Sequence, residues 1–460
     1  MYYLDKIKHF SYNNQILFYS MLRESSFLSY GNTALWSMKI KIKYGNSTLE
    51  FHIPDTIRTQ VLTPLNDVPE IPLKKALISS LNDPIEANPL CSTLSAGTTV
   101  LIIVPDKTRQ CILDQLLPII VGYLGDYGVL REKITILFAN GTHQNQTGEE
   151  IDHIVGPDIR RTFRIEQHDA NNPGALEYIT TTSRGTPVFI NKLVREADIV
   201  LTVGGILHHY FAGYGGGSKL LIPGVAGYET AKINHSYTIT GTGEFHPACR
   251  DGHLDTNPVY LDIVEAIRHI PNIFSINVVL DSDNKPAGFF SGDIVFAHRR
   301  GTVLASKLHE VPVDALADLV IVSPGGAPHD STFIQSHKAI HHAHYAVKPG
   351  GGIIVAAACN DGIGSSTFLQ WFDIPEQSLG EHLLSEYSLN GHTALSLRMK
   401  VKRNEISLLS GLDDGIVSRM GIKPISSIQT AIDTVCDTRG TSPLIYYLPH
   451  GSLTVPNFHN

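Results

Sequence analysis

The sequence predicts an α/β protein built as two parallel-sheet domains that face one cleft. Three observations carry this. The apolar runs 98–104, 133–139 and 197–203 read as buried strands. Each ends in a cluster of Gly, His, Asp or Arg, with helical pattern between them, which is the βα alternation of a parallel sheet. A second set of the same kind opens with Ala317 to Val322 and continues with Gly351 to Ala358.

At 460 residues the chain has room for two or three domains. Its net charge of −8 gives no basic surface for nucleic acid or an acidic membrane. No apolar run approaches the ~20 residues that span a bilayer. The five cysteines are scattered with no Cys-x-x-Cys pair. That excludes a thiolate zinc site and a disulfide frame, and it suits the reducing cytoplasm. The 22 histidines cluster beside glycines.

In chain order, residues 1–37 carry aromatics without periodicity and lack the pattern of a secretory signal. They read as an extension, either disordered or not native, with Met38 favoured as the natural start. Lys39 to Tyr44 alternates as a strand. The run 98–104 leads into Pro105-Asp106-Lys107-Thr108-Arg109, and a helix is expected from about Gln110 to Tyr127. The run 133–139 leads into Asn140-Gly141-Thr142-His143, followed by a helix that Thr147 and Glu150 cap reciprocally. The run 197–203 leads into His208-His209, a loop with Gly213, Gly215, Gly216 and Gly217, then Lys219 and His235. Residues 273–293 carry a hairpin signal. A helix over 294–309 links the two units. In the second, Ser323 to Pro328 follows the first strand, and the next helix carries Gln335 and Lys338 on one face. The expected boundaries are 38–295 for the first domain and 296–443 for the second, with the tail 444–460 packing back on the first. These are two Rossmann-like α/β domains with the active site in the cleft between them, because ligands of such sheets bind at strand ends and between domains.

Read from the residues alone, the candidates are Asp106, Arg109, His143, His208, His209, Lys219, His235, Gln335 and Lys338. Two imidazoles from separate strand ends can act as general base and general acid near neutral pH. An arginine beside them clamps a carboxylate at two points, and a lysine adds a point charge. Gln335 and Lys338 complete the pocket when the domains close. The Gly-rich loop fits neither a Walker loop, since Leu220 follows Lys219, nor Gly-x-Gly-x-x-Gly, since Ser218 stands at the last glycine. Other readings stay open: a metal-dependent hydrolase on His143, His209 and His235, or a non-catalytic nucleotide or metabolite sensor.

The ordered motifs Asp106-Lys107-Thr108-Arg109, Asn140-Gly141-Thr142-His143, His209/Lys219/His235 around a Gly-Gly-Gly loop, and Gln335-Ser336-His337-Lys338 resemble those of the lactate racemase family. The resemblance runs from about Met38 to at least 375. It implies a racemase or epimerase of 2-hydroxy acids that depends on a nickel-pincer nucleotide, a pyridinium-3,5-bisthiocarboxylic acid mononucleotide carrying nickel. It implies covalent attachment of that cofactor at Lys219, nickel ligation by His235, and His143 and His209 as the acid/base pair. Hydride leaves Cα for the cofactor and returns to either face of the 2-keto acid. Asp106, Thr108, Arg109, Gly216 and Gly217 are expected to serve the cofactor, with Asp106 orienting a catalytic partner. Arg109, Gln335 and Lys338 are expected to hold the substrate. The partners implied are a small 2-hydroxy acid and cofactor-biosynthesis enzymes, with no nucleic acid and no membrane.

The pocket wall departs from the family. Ile334 stands before Gln335 where the racemases have an aromatic. The stretch Gly391-His392-Thr393-Ala394 lacks the family's pocket tryptophan, and Trp371 lies in a different loop. A larger or more polar acid than lactate is therefore expected. His337, His341, His342 and His344 read as a polar helix face ahead of a pocket wall.

Overall fold

The structure is a computed structural model that describes residues 25–30, 33–66, 68–109, 111–438 and 443–458, with side chains from 38 on except 436–438. Of the extension 1–37, residues 1–24, 31 and 32 lie outside the described residues. The backbone of Ser25–Tyr30 pairs antiparallel with Thr33–Tyr44.

The first sheet has six strands in the order Pro286–Gly292, Ile273–Leu280, Ile199–Gly205, Val100–Pro105, Ile134–Ala139, Arg164–Gln167. All neighbours are parallel except the hairpin at one edge, Ile273–Leu280 with Pro286–Gly292. Val100–Pro105 is buried along its whole length. A central parallel strand is covered on both faces and so reads as continuous apolar sequence. Its alternate residues feed separate cores. Val100, Ile102 and Val104 pack with the helix Leu113–Asp126, while Leu101 and Ile103 pack with Leu221, Ile222 and the helix Pro258–Ile267.

The second sheet is wholly parallel, in the order Lys423–Pro424, Glu405–Leu409, Val347–Ala356, Ala317–Val322, Leu444–Leu448, Arg58–Val61. Here the expected boundaries need three corrections. The tail does not pack on the first domain: Leu444–Leu448 is an interior strand of the second sheet. All five of its residues are buried, with Leu444, Tyr446 and Leu448 in one core and Ile445 and Tyr447 in another, so both faces of this strand are covered. Residues 38–62 also belong with the second domain. Arg58–Val61 is its edge strand, and Ile40, Ile42, Phe51 and Ile53 of the hairpin Thr33–Tyr44/Ser47–Pro54 pack on Leu319, Ile321 and Tyr447. Finally, the helix Phe296–His309 sits with the first domain, its Ala305 and Leu308 against Ile206 and Val279. The first domain is thus one continuous segment, and the second is assembled from chain on both sides of it.

Thr147 and Glu150 form the expected capping box on the helix Gly148–Val155. Thr332 caps Phe333–Ala346 by accepting from the Gln335 amide. Cys91, Cys111, Cys249 and Cys359 are free. No helix among the described residues is long and apolar enough to cross a membrane.

Candidate active site

The strand ends of the first sheet converge as expected. Asp106, directly after Val100–Pro105, is 4% exposed. Its Oδ1 accepts the Thr108 amide at 3.0 Å and the Thr108 hydroxyl at 2.6 Å. Its Oδ2 lies 2.5 Å from Nδ1 of His143, from the neighbouring strand end. Burial pushes the Asp106 carboxyl up, but His143, Thr108 and Arg109 outweigh it and hold it at about 2. The pair therefore consists of an ionised carboxylate that fixes Nδ1 of His143 as the protonated nitrogen and leaves Nε2 outward. The His143 side chain is 47% exposed.

The third strand end is a tight hairpin, His208–His209 paired with Gly213–Tyr214. Successive strand residues point to opposite sides, and the two histidines separate accordingly. His208 turns away from the cleft, with Nε2 3.1 Å from Glu310 Oε1 and its ring on Tyr214. His209 is buried against Phe211, with ring centroids 4.4 Å apart, and its Nδ1 has no partner. Burial, followed by the charges of Lys219, Arg109 and Lys338, pushes its basicity well below the ordinary value.

The glycines of the loop are needed for the chain's own packing. Gly216 has φ +79°, and a Cβ there would sit 2.6 Å from the Gly205 carbonyl; Gly217 has φ +50°, and its Cβ would meet the His298 ring at 2.7 Å. Thr108 is likewise engaged, with both donors turned to Asp106. The loop then tightens into the single turn Gly217–Leu220, which carries Lys219. Its Nζ lies 4.9 Å from the Phe211 ring centroid. Burial, and secondarily Arg109, lowers the Lys219 amine to about 7. His235, in the helix Tyr228–Ser236, meets the same Phe211 ring edge-on at 5.0 Å, and neither of its ring nitrogens has a partner. Phe211 is thus the common floor under His209, Lys219 and His235.

The second domain closes this site from above. Lys338 donates to Gln335 Oε1 at 2.5 Å. Burial first, then the charges of Arg109 and Lys219, push the Lys338 amine well below its ordinary range, with Asp106 acting in the opposite sense. Tyr210, Phe211 and Tyr387, none of them a candidate from the sequence, complete the enclosure with His392 and Thr393. Tyr210 Oη bonds Thr393 Oγ1 across the domains at 2.6 Å. The His392 ring lies 5.6 Å from that of His235, with Nδ1 2.6 Å from Tyr387 Oη. Tyr210 and Phe211 directly follow the flagged His208-His209 pair, and that adjacency was the available signal. His392 was marked only by the tryptophan missing from its stretch.

The polar-face reading of the helix Phe333–Ala346 is overturned. His337, His341 and His342 are buried, because this face packs against the first domain. His344 bonds Asn404 and Arg403 outside the cleft. Trp371 is buried in the second-domain core, and Ile334 packs at that core's edge.

The electrostatic sum defines what the site can do. Arg109, Lys219 and Lys338 sense one another's charge in a desolvated space, with the Asp106–His143 pair beside them. Cations gathered out of water are costly without counter-charge, and a bound anion would offset that cost. Among the described residues, no three His, Cys, Asp or Glu side chains converge to hold a metal.

Two regions of the chain match known domain profiles: residues 44–245 match the lactate racemase N-terminal domain, and residues 313–455 the lactate racemase C-terminal domain. A lactate racemase of Thermoanaerobacterium thermosaccharolyticum is 33% identical over 337 residues, covering 72% of this chain and 77% of that protein. One of Lactiplantibacillus plantarum is 30% identical over 427 residues, covering 90% and 98%. The structure of the T. thermosaccharolyticum lactate racemase apoprotein superposes with TM-score 0.79 at 28% identity, covering 91% of this chain and all of that one.

Proposed function

The chain belongs to the lactate racemase family, and from that premise we propose that it is an isomerase inverting Cα of a 2-hydroxy acid, with His143 and His209 as its acid/base pair. The observation that supports this reading is the cluster of Arg109, Lys219 and Lys338 beside His209 and His235, whose rings keep nitrogens without a protein partner.

The nickel-pincer nucleotide implied by the family fits the residues present. His235 has lone-pair capacity uncommitted to any protein donor, and imidazole suits nickel. Lys219, lowered to about 7, carries a substantial neutral fraction at physiological pH and can form a covalent bond. Arg109 adds charge for an anionic group. Asp106 and Thr108 serve through His143 and the turn they build, and Gly216 and Gly217 through the close fold of the loop. When bound, this group supplies a reversible hydride acceptor, which no side chain offers. One protein ligand suffices for such a metal, whereas the three-histidine hydrolase needs a converging set that the described residues lack.

The chain's own residues then do the following. Arg109, Gln335 and Lys338 hold the substrate carboxylate. For one enantiomer, Nε2 of His143 takes the hydroxyl proton, and Asp106 stabilises the imidazolium that forms, as in other carboxylate-backed imidazoles. For the other, His209 makes the exchange from its neutral state. Closure of the second domain excludes water. His392 and Thr393 stand on the wall where the family has tryptophan, which supports a more polar or larger acid than lactate. The same reading makes cofactor-building enzymes the protein's partners and the cytoplasm its compartment.

The test is mass spectrometry of the Lys219 peptide after expression with nickel and the cofactor-building enzymes, beside chiral chromatography of a panel of 2-hydroxy acids. Added mass on Lys219 and loss of enantiomeric purity are expected. An unmodified peptide under those conditions refutes the reading.

A further inference from the structure

The helix Phe333–Ala346 carries Lys338, His341, His342 and Tyr345 at positions i, i+3, i+4 and i+7, hence on one face. Gln335 lies one turn earlier on it. The first half of this face reaches the cleft, and the second half meets Asp251 of the first domain. Asp251 Oδ2 is 2.9 Å from His341 Nε2 and accepts from Tyr345 Oη at 3.3 Å, while Oδ1 is 3.5 Å from His342 Nε2. His341 Nε2 is also 2.8 Å from Tyr345 Oη, and His342 Nδ1 donates to the Gly451 carbonyl at 2.6 Å. The Asp251 side chain is 3% exposed, and those of His341 and His342 are 8% and 2%.

We propose that Asp251 is a positioning residue: a first-domain carboxylate that pins the second-domain helix so that Gln335 and Lys338 stand at the correct height over the cleft. From Lys338 to His341 the helix rises only about 4.5 Å, and a helix transmits such a constraint rigidly. In this arrangement the carboxylate is dry and held by donors from the opposite domain. The other groups facing Asp251 support the closed arrangement. Lys400, on the neighbouring helix Gly391–Arg403, senses its charge, as do His209, Tyr210 and Tyr214 on its own domain, and Arg250 flanks it. Asp251 touches no candidate reactive group, and its charge is the last of the influences on the His209 ring, so its contacts act on turnover through the helix.

The discriminating variant is Asp251→Asn, which keeps size and an acceptor but removes the charge. Hydrogen exchange of the wild-type protein and the variant reads the contact without any assumption about activity. We expect about a tenfold loss of protection in Phe333–Ala346 and in the loop around Asp251, with the central strands Val100–Pro105 and Ala317–Val322 unchanged. Unchanged protection at the contact, or a loss spread equally to both central strands, overturns the proposal. The kinetic arm rests on the activity proposed above and uses the cofactor-loaded enzyme with the best acid of the panel. There KM is expected to rise about tenfold with kcat nearly constant, and the rise to vanish in a Lys338→Ala background. A fall in kcat at fixed KM, or additive effects, also overturns it. If the wild-type enzyme turns over no acid, the proposed activity fails, and the exchange arm alone decides the role of Asp251.

Discussion

The two imidazoles assigned to proton transfer live in opposite surroundings. His143 is half open to solvent and backed by a carboxylate 2.5 Å from Nδ1. His209 is 7% exposed, has no carboxylate partner, and is pressed by the charges of Lys219, Arg109 and Lys338. The charges around His209 discourage it from becoming a cation, and the carboxylate beside His143 has no counterpart there. For a pair of mirror-image substrates this asymmetry is bounded by thermodynamics. Enantiomers are equal in free energy, so kcat/KM cannot differ between the two directions. The difference between the histidines must appear in kcat and KM separately, with compensating changes.

The harshest way to break this comparison is to remove each ring in turn. His143→Ala and His209→Ala should each lower kcat about 10²–10⁴-fold in both directions, since inversion needs both proton transfers. Chiral chromatography of the cofactor-loaded variants reads this, and full activity in either removes that ring from the mechanism. A gentler cut is Asp106→Asn, which acts first on the His143 side and also removes a charge that Arg109 and Lys338 sense. It should cost roughly 10–100-fold in kcat by releasing the ring from its tautomer. It also has a pH signature. The native carboxyl lies near 2 rather than its ordinary 3.8, so its stabilisation, roughly 2 kcal/mol, is present above pH ~4 and lost as pH falls toward 2. Chemical denaturation at pH 7 and pH 2 should show the variant weaker at pH 7 and little different from wild type at pH 2. The smallest effect is expected for Tyr210→Phe. It keeps the ring stacked on His209 and deletes the bond to Thr393. About 0.5–1.5 kcal/mol of stability is expected to be lost, with the His143 side untouched; a differential effect of pH on turnover would show that the two sides are coupled.

Much of this was legible in the sequence, for identifiable reasons. Central parallel strands are apolar on both faces, so Val100–Pro105, Ile134–Ala139, Ile199–Gly205 and Ala317–Val322 announced themselves, and their polar ends marked the cleft. Asp106, Arg109, His143, His209, Lys219 and His235 lie near those ends. What the sequence hid were relations between distant segments. Nothing local says that Leu444–Leu448 slots between Ala317–Val322 and Arg58–Val61, because an apolar strand fits any sheet with an open edge. The histidines of Phe333–Ala346 looked like a solvated face because their acidic partner, Asp251, is some ninety positions away and on the other domain. His392 was marked only by the tryptophan missing from its stretch, since a single histidine inside a helix is most often structural. The expected hinge near 295 failed for a similar reason: the buried side of Phe296–His309 could have packed on either sheet.

The placement of Arg58–Val61 has a consequence for biosynthesis. Among the described residues its sole neighbour in the sheet is Leu444–Leu448, nearly four hundred positions later. As the polypeptide leaves the ribosome, the segment bearing Lys219 and His235 is complete well before that neighbour is made, and domains fold as units during synthesis. Throughout that interval the nascent lower half stands without its roof. In the complete fold second-domain residues such as His392 and Lys338 stand beside His235 and Lys219; in the growing chain that cover arrives last.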